Sequence, residues 1–110
     1  MIEDKLQAQI YAWYNNTYCL THHNPRHMIF SVPNGGLRSK IEAMKMKSTG
    51  LLAGVSDLII VRPGETLFIE LKTDTGVQSK EQKEFQNRIE LLGFSYYLVR
   101  SLQEFQQIIK

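Results

Sequence analysis

Two carboxylates and an ammonium, those of Asp57, Glu70 and Lys72, lie close enough along the chain to act as one group. Ser56 to Val61 and Thr66 to Lys72 are rich in β-branched and aliphatic residues, and they flank Arg62-Pro63-Gly64-Glu65, a hairpin turn signal. A loop of two residues at Pro63-Gly64, or of four at 62–65, sets Val61 opposite Thr66, Ile59 opposite Phe68 and Asp57 opposite Glu70. Side chains opposite one another in an antiparallel pair share a face and lie about 5 Å apart. Lys72 follows Glu70 by two residues and so joins the same face, while Leu67, Ile69 and Leu71 point the other way, into a core. One extra loop residue would move Asp57 to the opposite face.

Two carboxylates facing each other on an apolar hairpin repel, and a divalent cation is the simplest compensation. Hard oxygen donors suit Mg²⁺ or Mn²⁺ rather than zinc. Such an ion lowers the pKa of a water and neutralises charge on a scissile phosphate. A lysine beside it orients that water or meets the developing negative charge. A solvated hairpin face with a Glu–Lys pair also accounts for Glu70 and Lys72, but it leaves Asp57 unexplained at the head of an apolar strand.

The surrounding elements follow from periodicity. Ile2, Leu6, Ile10 and Trp13 fall at helical spacing, which predicts an amphipathic helix over 2–14. Residues 15–27 are polar, aromatic and His-rich and read as a loop. Met28 to Val32 reads as a strand ended by Pro33-Asn34-Gly35-Gly36. Leu37 to Lys47 reads as a short basic helix with Ile41 and Met44 as its apolar side. Ser79 with Gln82, and Ser101 with Glu104, are capping boxes that open two further helices around a strand at Phe94 to Arg100, and Gly93 stops the first of them. The order α-β-(α)-β-β-α-β-α describes one α/β domain over residues 1–110.

Composition narrows the class. At 110 residues, folding hides roughly 65% of the unfolded chain's surface. An aromatic content of 10% with a net charge of +2 excludes intrinsic disorder. The longest aliphatic stretch, Leu58-Ile59-Ile60-Val61, is far short of the ~20 residues of a membrane span, so no membrane partner is expected. The acidic start Met1-Ile2-Glu3-Asp4 does not read as a signal peptide. Cys19, the single cysteine, permits no internal disulfide and favours a reducing, intracellular (cytoplasmic) setting. Charge is unevenly placed. Within 26–50, Arg26, Arg38, Lys40, Lys45 and Lys47 oppose only Glu42, and the acidic segment with Asp57 and Glu70 comes directly after. That order suits a polyanion held beside a cation-binding carboxylate site, and it also suits a solvated helix face.

The stretch Gly54-Val55-Ser56-Asp57-Leu58-Ile59-Ile60 followed by Phe68-Ile69-Glu70-Leu71-Lys72 resembles the PD-(D/E)XK nuclease signature. With Glu3-x-x-x-Gln7, Val32-Pro33-Asn34-Gly35-Gly36-x-Arg38 and Gln78-Ser79-x-x-Gln82 in the same order, the chain is similar to a virus-type replication-repair nuclease (VRR-NUC) domain. Ser56 stands where the wider superfamily often has proline, which is not a ligand. The resemblance implies a restriction-endonuclease-like core with a mixed central β-sheet flanked by helices. It implies a Mg²⁺- or Mn²⁺-dependent endonuclease in which Asp57, Glu70 and the Leu71 carbonyl bind the metal. Lys72 would serve the attacking water, Glu3 would support the metal or its waters, and Gln82 would complete the site. No organic cofactor is implied. Small stand-alone members are similar to dimeric Holliday-junction resolvases, which implies a homodimer cutting branched DNA. The rival readings are a nicking, flap or restriction-type nuclease acting as a monomer, and a non-catalytic module that binds branched DNA.

Several residues carry two readings. Glu3 suits a helix N-terminus through the dipole as well as a metal site. Gln82 is accounted for by the capping box. Asn34, Gly35, Gly36 and Arg38 are either a plain turn or a phosphate cradle of backbone N–H groups and a guanidinium, with Lys40 beside it. Cys19, His22, His23 and His27 lack a second ligand pair at zinc-finger spacing, so contact with a DNA backbone is the better expectation for the histidines. Tyr96 and Tyr97 read as packing residues, with one ring outward and available to a dimer surface.

Overall fold

The computed structural model describes residues 3–33 and 40–110. The elements are α1 (Glu3–Tyr18), β1 (Met28–Ser31), α2 (Lys40–Ser48), β2 (Leu58–Arg62), β3 (Glu65–Leu71), α3 (Lys80–Leu91), β4 (Ser95–Val99) and α4 (Leu102–Ile109), in the expected order. The strands form one mixed sheet, β1-β2-β3-β4. β1, β2 and β3 are antiparallel neighbours, whereas β4 runs parallel to β3. A tight turn cannot join parallel strands, so α3 serves as the crossover.

The hairpin has the two-residue loop. Arg62 pairs with Glu65, leaving Pro63 and Gly64 between them, and Gly64 turns the chain at φ 74°. Val61 pairs with Thr66 and Ile59 with Phe68, the register that brings Asp57 toward Glu70.

Alternation gives the sheet two different faces. Leu58, Ile60, Leu67, Ile69, Leu71 and Val99 are buried against Leu6, Ile10 and Tyr14 of α1 and Phe105 and Ile109 of α4. Each such side chain contributes roughly 1.5–3 kcal/mol on burial. On the other face Phe85 of α3 packs against Phe68 and Tyr96, with ring centroids 5.8 and 6.1 Å apart. α3 has both halves of its capping box, Ser79 Oγ accepting from Gln82 N and Gln82 Oε1 accepting from Ser79 N. Gly93, at φ 90°, ends it. Among the described residues no helix is long and apolar enough to cross a membrane.

Four local expectations differ from the structure. α1 continues to Tyr18, through residues read as a loop, because Tyr18 extends the Tyr14 side of the helix and stacks on His27 at 4.9 Å. Asn15, Asn16 and Thr17 are weak helix formers, and packing overrides them. Ser101 Oγ caps Glu104 N, but Glu104 Oε1 accepts from Arg100 N instead of from Ser101, so the second box is half made. In α2, Ile41 and Met44 are exposed instead of packing as an apolar side. Neither tyrosine of β4 is an outward ring: Tyr96 is buried, and Tyr97 packs against the core cluster.

Gly54 couples the approach to β2 to the start of α3. It sits at φ 84°, and a Cβ there would stand 2.8 Å from Gln82 N and closer still to the Glu81 carbonyl. Gly50, at φ 110°, has nothing within 4 Å of its own added Cβ. Gly54→Ala therefore meets both backbone strain and a clash, and denaturant unfolding should show a loss of about 2–4 kcal/mol. Gly50→Ala meets strain alone and should lose about 1 kcal/mol. Equal losses at the two positions would contradict the close approach of α3.

Candidate active site

Asp57 stands immediately before β2 and is fixed at both ends. Its carbonyl accepts from Val32 N at 3.1 Å, continuing the β1–β2 ladder by one rung. Its Oδ2 accepts from the Leu71 amide at 2.7 Å, which ties the side chain to the end of β3. Burial pushes the Asp57 carboxyl above the usual aspartate range. The Leu71 N–H opposes that shift, the Glu3 and Glu70 charges add to it, and the Lys72 charge reduces it. Glu3, exposed in the first turn of α1, is thus close enough to act on Asp57 electrostatically. Gln7, one turn further along α1, lines an open groove of about 600 Å³ against Ser31 and Leu58.

Glu70 is 0% exposed, so the solvated hairpin face is excluded for it. Its Oε1 accepts from Gln78 Nε2 at 2.9 Å and from the Tyr96 hydroxyl. Its Oε2 is buried with no hydrogen-bond partner among the described residues. Lys72 Nζ lies 3.7 Å from Oε2, an ion pair well beyond the 2.7–2.9 Å of a charge-assisted hydrogen bond. The Lys72 amide donates to Val99 O at 3.1 Å, so β4 holds its backbone in sheet geometry past the end of β3.

Asp57, Glu70 and Lys72 therefore come together as expected from the hairpin, with Glu3 nearby. Among the described residues no three His, Cys, Asp or Glu side chains form a ready-made metal cage. The donor set is instead the two carboxylates of Asp57 and Glu70. A hard divalent cation fits it, since a buried carboxylate oxygen lacking a donor is the atom such an ion would satisfy.

Other candidates are placed differently. Gln82 Oε1 serves the cap of α3, and the glutamine that touches Glu70 is Gln78. Asn34, Gly35, Gly36 and Arg38 lie outside the described residues. Lys40 opens α2, and its side chain also lies outside them. The Cys19–His27 loop is tied internally. Cys19 is buried, His23 Nδ1 accepts from Leu20 N at 2.9 Å, and His27 Nδ1 lies 2.8 Å from the Tyr14 hydroxyl. Burial lowers the His27 pKa, with the Arg62 charge adding to the effect, so this ring is neutral at pH 7. His23 and His27 are thus structural rather than free for a DNA backbone, and His22 is the exposed one.

The model of the VRR-NUC domain family matches residues 1–103. The chain belongs to the VRR-NUC family. A solved structure of a VRR-NUC domain protein, 21% identical, superposes with a TM-score of 0.77 over 99% of this chain and 85% of its own, and shares the fold. No curated protein matches the chain. The family is a nuclease family, consistent with a site built from Asp57, Glu70 and Lys72.

Two polar contacts of this VRR-NUC domain escape a reading of its sequence. Gln78 stands one residue ahead of the α3 cap, in the same Gln-Ser-x-x-Gln stretch as Gln82. Tyr96 pairs with Phe68 and Leu98 with Glu70, so alternation puts Tyr96 on the Glu70 face. Only the parallel register of β4 makes that visible.

The shift at Asp57 gives a pH dependence of definite sign. A carboxyl whose pKa is higher folded than unfolded binds more protons in the native state, so stability falls as pH rises from the unfolded value, about 3.9, through the elevated native one. Asp57→Asn keeps an acceptor for the Leu71 N–H and removes the charge. In buffer with EDTA, the variant should match the wild type in urea unfolding near pH 3.5 and exceed it at pH 7. A difference that does not vary with pH would contradict the burial of this charge.

Proposed function

We propose that this VRR-NUC domain is a Mg²⁺- or Mn²⁺-dependent endonuclease that hydrolyses phosphodiester bonds in branched DNA. The observation that carries the reading is Glu70, fully buried, with one oxygen saturated and the other bare beside Lys72. A structural carboxylate in a core would have both oxygens matched by donors.

Asp57, Glu70 and the Leu71 carbonyl would hold the ion, and Glu3 would hold its waters. When bound, the ion supplies a water of lowered pKa and neutralises charge on the phosphate. Lys72 brings a fixed ammonium to the same place, where it orients the attacking water and meets the negative charge that develops. The Leu71 amide donates to Asp57, so one residue both aims a carboxylate and offers its own carbonyl. Asn34, Gly35, Gly36, Arg38 and Lys40 form the phosphate-holding segment in this proposal, and the exposed lysines Lys45 and Lys47 of α2 continue its positive charge. The branched substrate and a homodimeric enzyme are proposed from the similarity of small stand-alone members to dimeric junction resolvases, since a two-fold enzyme suits a two-fold junction.

Asp57→Ala, Glu70→Ala and Lys72→Ala should each reduce Mg²⁺-dependent cleavage by at least about 10³-fold, while junction binding in Ca²⁺ persists. A panel of four-way junctions, flaps, splayed arms and duplex, assayed in Mg²⁺ and Mn²⁺, tests the substrate. Paired symmetric nicks on the junction support a resolving dimer. Single cuts confined to flaps or duplex indicate a monomeric nuclease of another specificity. Junction binding with no cleavage of any substrate overturns the enzyme reading.

A further inference from the structure

Glu70 is the one charged side chain among the described residues that is fully buried, and its two oxygens are treated unequally. We infer that Tyr96 and Gln78 are positioning residues that grip Oε1 of Glu70 so that Oε2 alone is presented to a divalent cation. The inference rests on the metal-dependent reading above.

The two donors come from separate parts of the chain, Tyr96 from β4 and Gln78 from the segment before α3, and both converge on Oε1. An ionised carboxylate only accepts, so the Gln78 amide nitrogen must face it. The other N–H of that nitrogen goes to Gln86 Oε1 on α3 at 2.8 Å, so turning the amide over would break both contacts. Tyr96 cannot swing away either, because its ring is buried against Phe85 at 6.1 Å. The terminal torsion of a glutamate is otherwise soft and nearly two-fold, leaving either oxygen free to face an ion. Gripping Oε1 removes that freedom. It leaves Oε2, the oxygen without a donor and 3.7 Å from Lys72 Nζ, as the ligand. Neither Tyr96 nor Gln78 need touch the ion or the phosphate; both act through Glu70.

The test is direct Mn²⁺ binding to the full chain, read as the loss of the free-ion electron paramagnetic resonance signal. Wild type, Tyr96→Phe, Gln78→Met and Glu70→Gln are compared, each first shown folded by circular dichroism at the working temperature. Removing an outer partner of a metal ligand typically weakens affinity 10–100-fold. Tyr96→Phe and Gln78→Met should therefore each raise the Mn²⁺ dissociation constant by at least about 10-fold, with Glu70→Gln weaker still. The Mn²⁺ concentration for half-maximal cleavage should rise in step, and added Mn²⁺ should recover the lost cleavage. Gln78→Met alters a half-buried site outside the sheet and keeps the test decisive if Tyr96→Phe does not fold. Wild-type Mn²⁺ affinity in the folded variants overturns the assignment alone. A wild type that binds no Mn²⁺ overturns the metal reading and the assignment together.

Discussion

A carboxylate with no exposed surface in the middle of a sheet is a demand on everything around it. Taking an ionised group out of water costs several kcal/mol unless each lone pair finds a partner. Glu70 meets that demand on one side only. Gln78 and Tyr96 serve Oε1, while Oε2 has Lys72 at the long distance of 3.7 Å. The imbalance is local: Ser56, the other buried polar side chain among the described residues, donates its hydroxyl to the Leu58 carbonyl at 3.4 Å.

The rest of the fold can be read as the means of maintaining that imbalance. The two-residue turn at Pro63-Gly64 sets the register that brings Asp57 beside Glu70, and the Leu71 amide then holds the aspartate there. The parallel addition of β4 supplies Tyr96 and, through Val99, anchors the backbone of Lys72. The crossover helix that parallel pairing requires also carries Gln86, which in turn orients Gln78. Gly54 lets the chain entering β2 pass against the first turn of that helix. The apolar face of α1 and α4 keeps the opposite side of the sheet dry. Burial at Asp57 and the neighbouring negative charges of Glu3 and Glu70 raise its proton affinity.

How much of this was legible in the sequence depends on the range of the interaction. The hairpin and its trio could be read because period-two alternation and a Pro-Gly turn are local signals, and register follows from them by counting. The cap of α3 was equally local, and both of its hydrogen bonds are present. The end of α1 was not legible, since Asn15-Asn16-Thr17 signals a loop and the stack of Tyr18 on His27, which keeps the helix going, is a tertiary contact. The contacts of Gln78 and Tyr96 with Glu70 are illegible in the sequence for the same reason. Their chemistry comes from a crossover and a parallel register, which no spacing within one segment encodes. Gln82, whose side chain caps α3, stands one turn past the glutamine that bonds Glu70.

Crystallography with Mn²⁺ distinguishes a Glu70 oxygen that ligates a cation from one that is half of an ordinary buried ion pair. Anomalous difference density collected from Mn²⁺-soaked crystals should show a peak within direct bonding distance of Glu70 Oε2 and the Asp57 carboxylate, with Oε1 still held by Tyr96 and Gln78. A map without a peak there, in which Lys72 Nζ has closed onto Oε2 as an ordinary buried ion pair, would contradict the account.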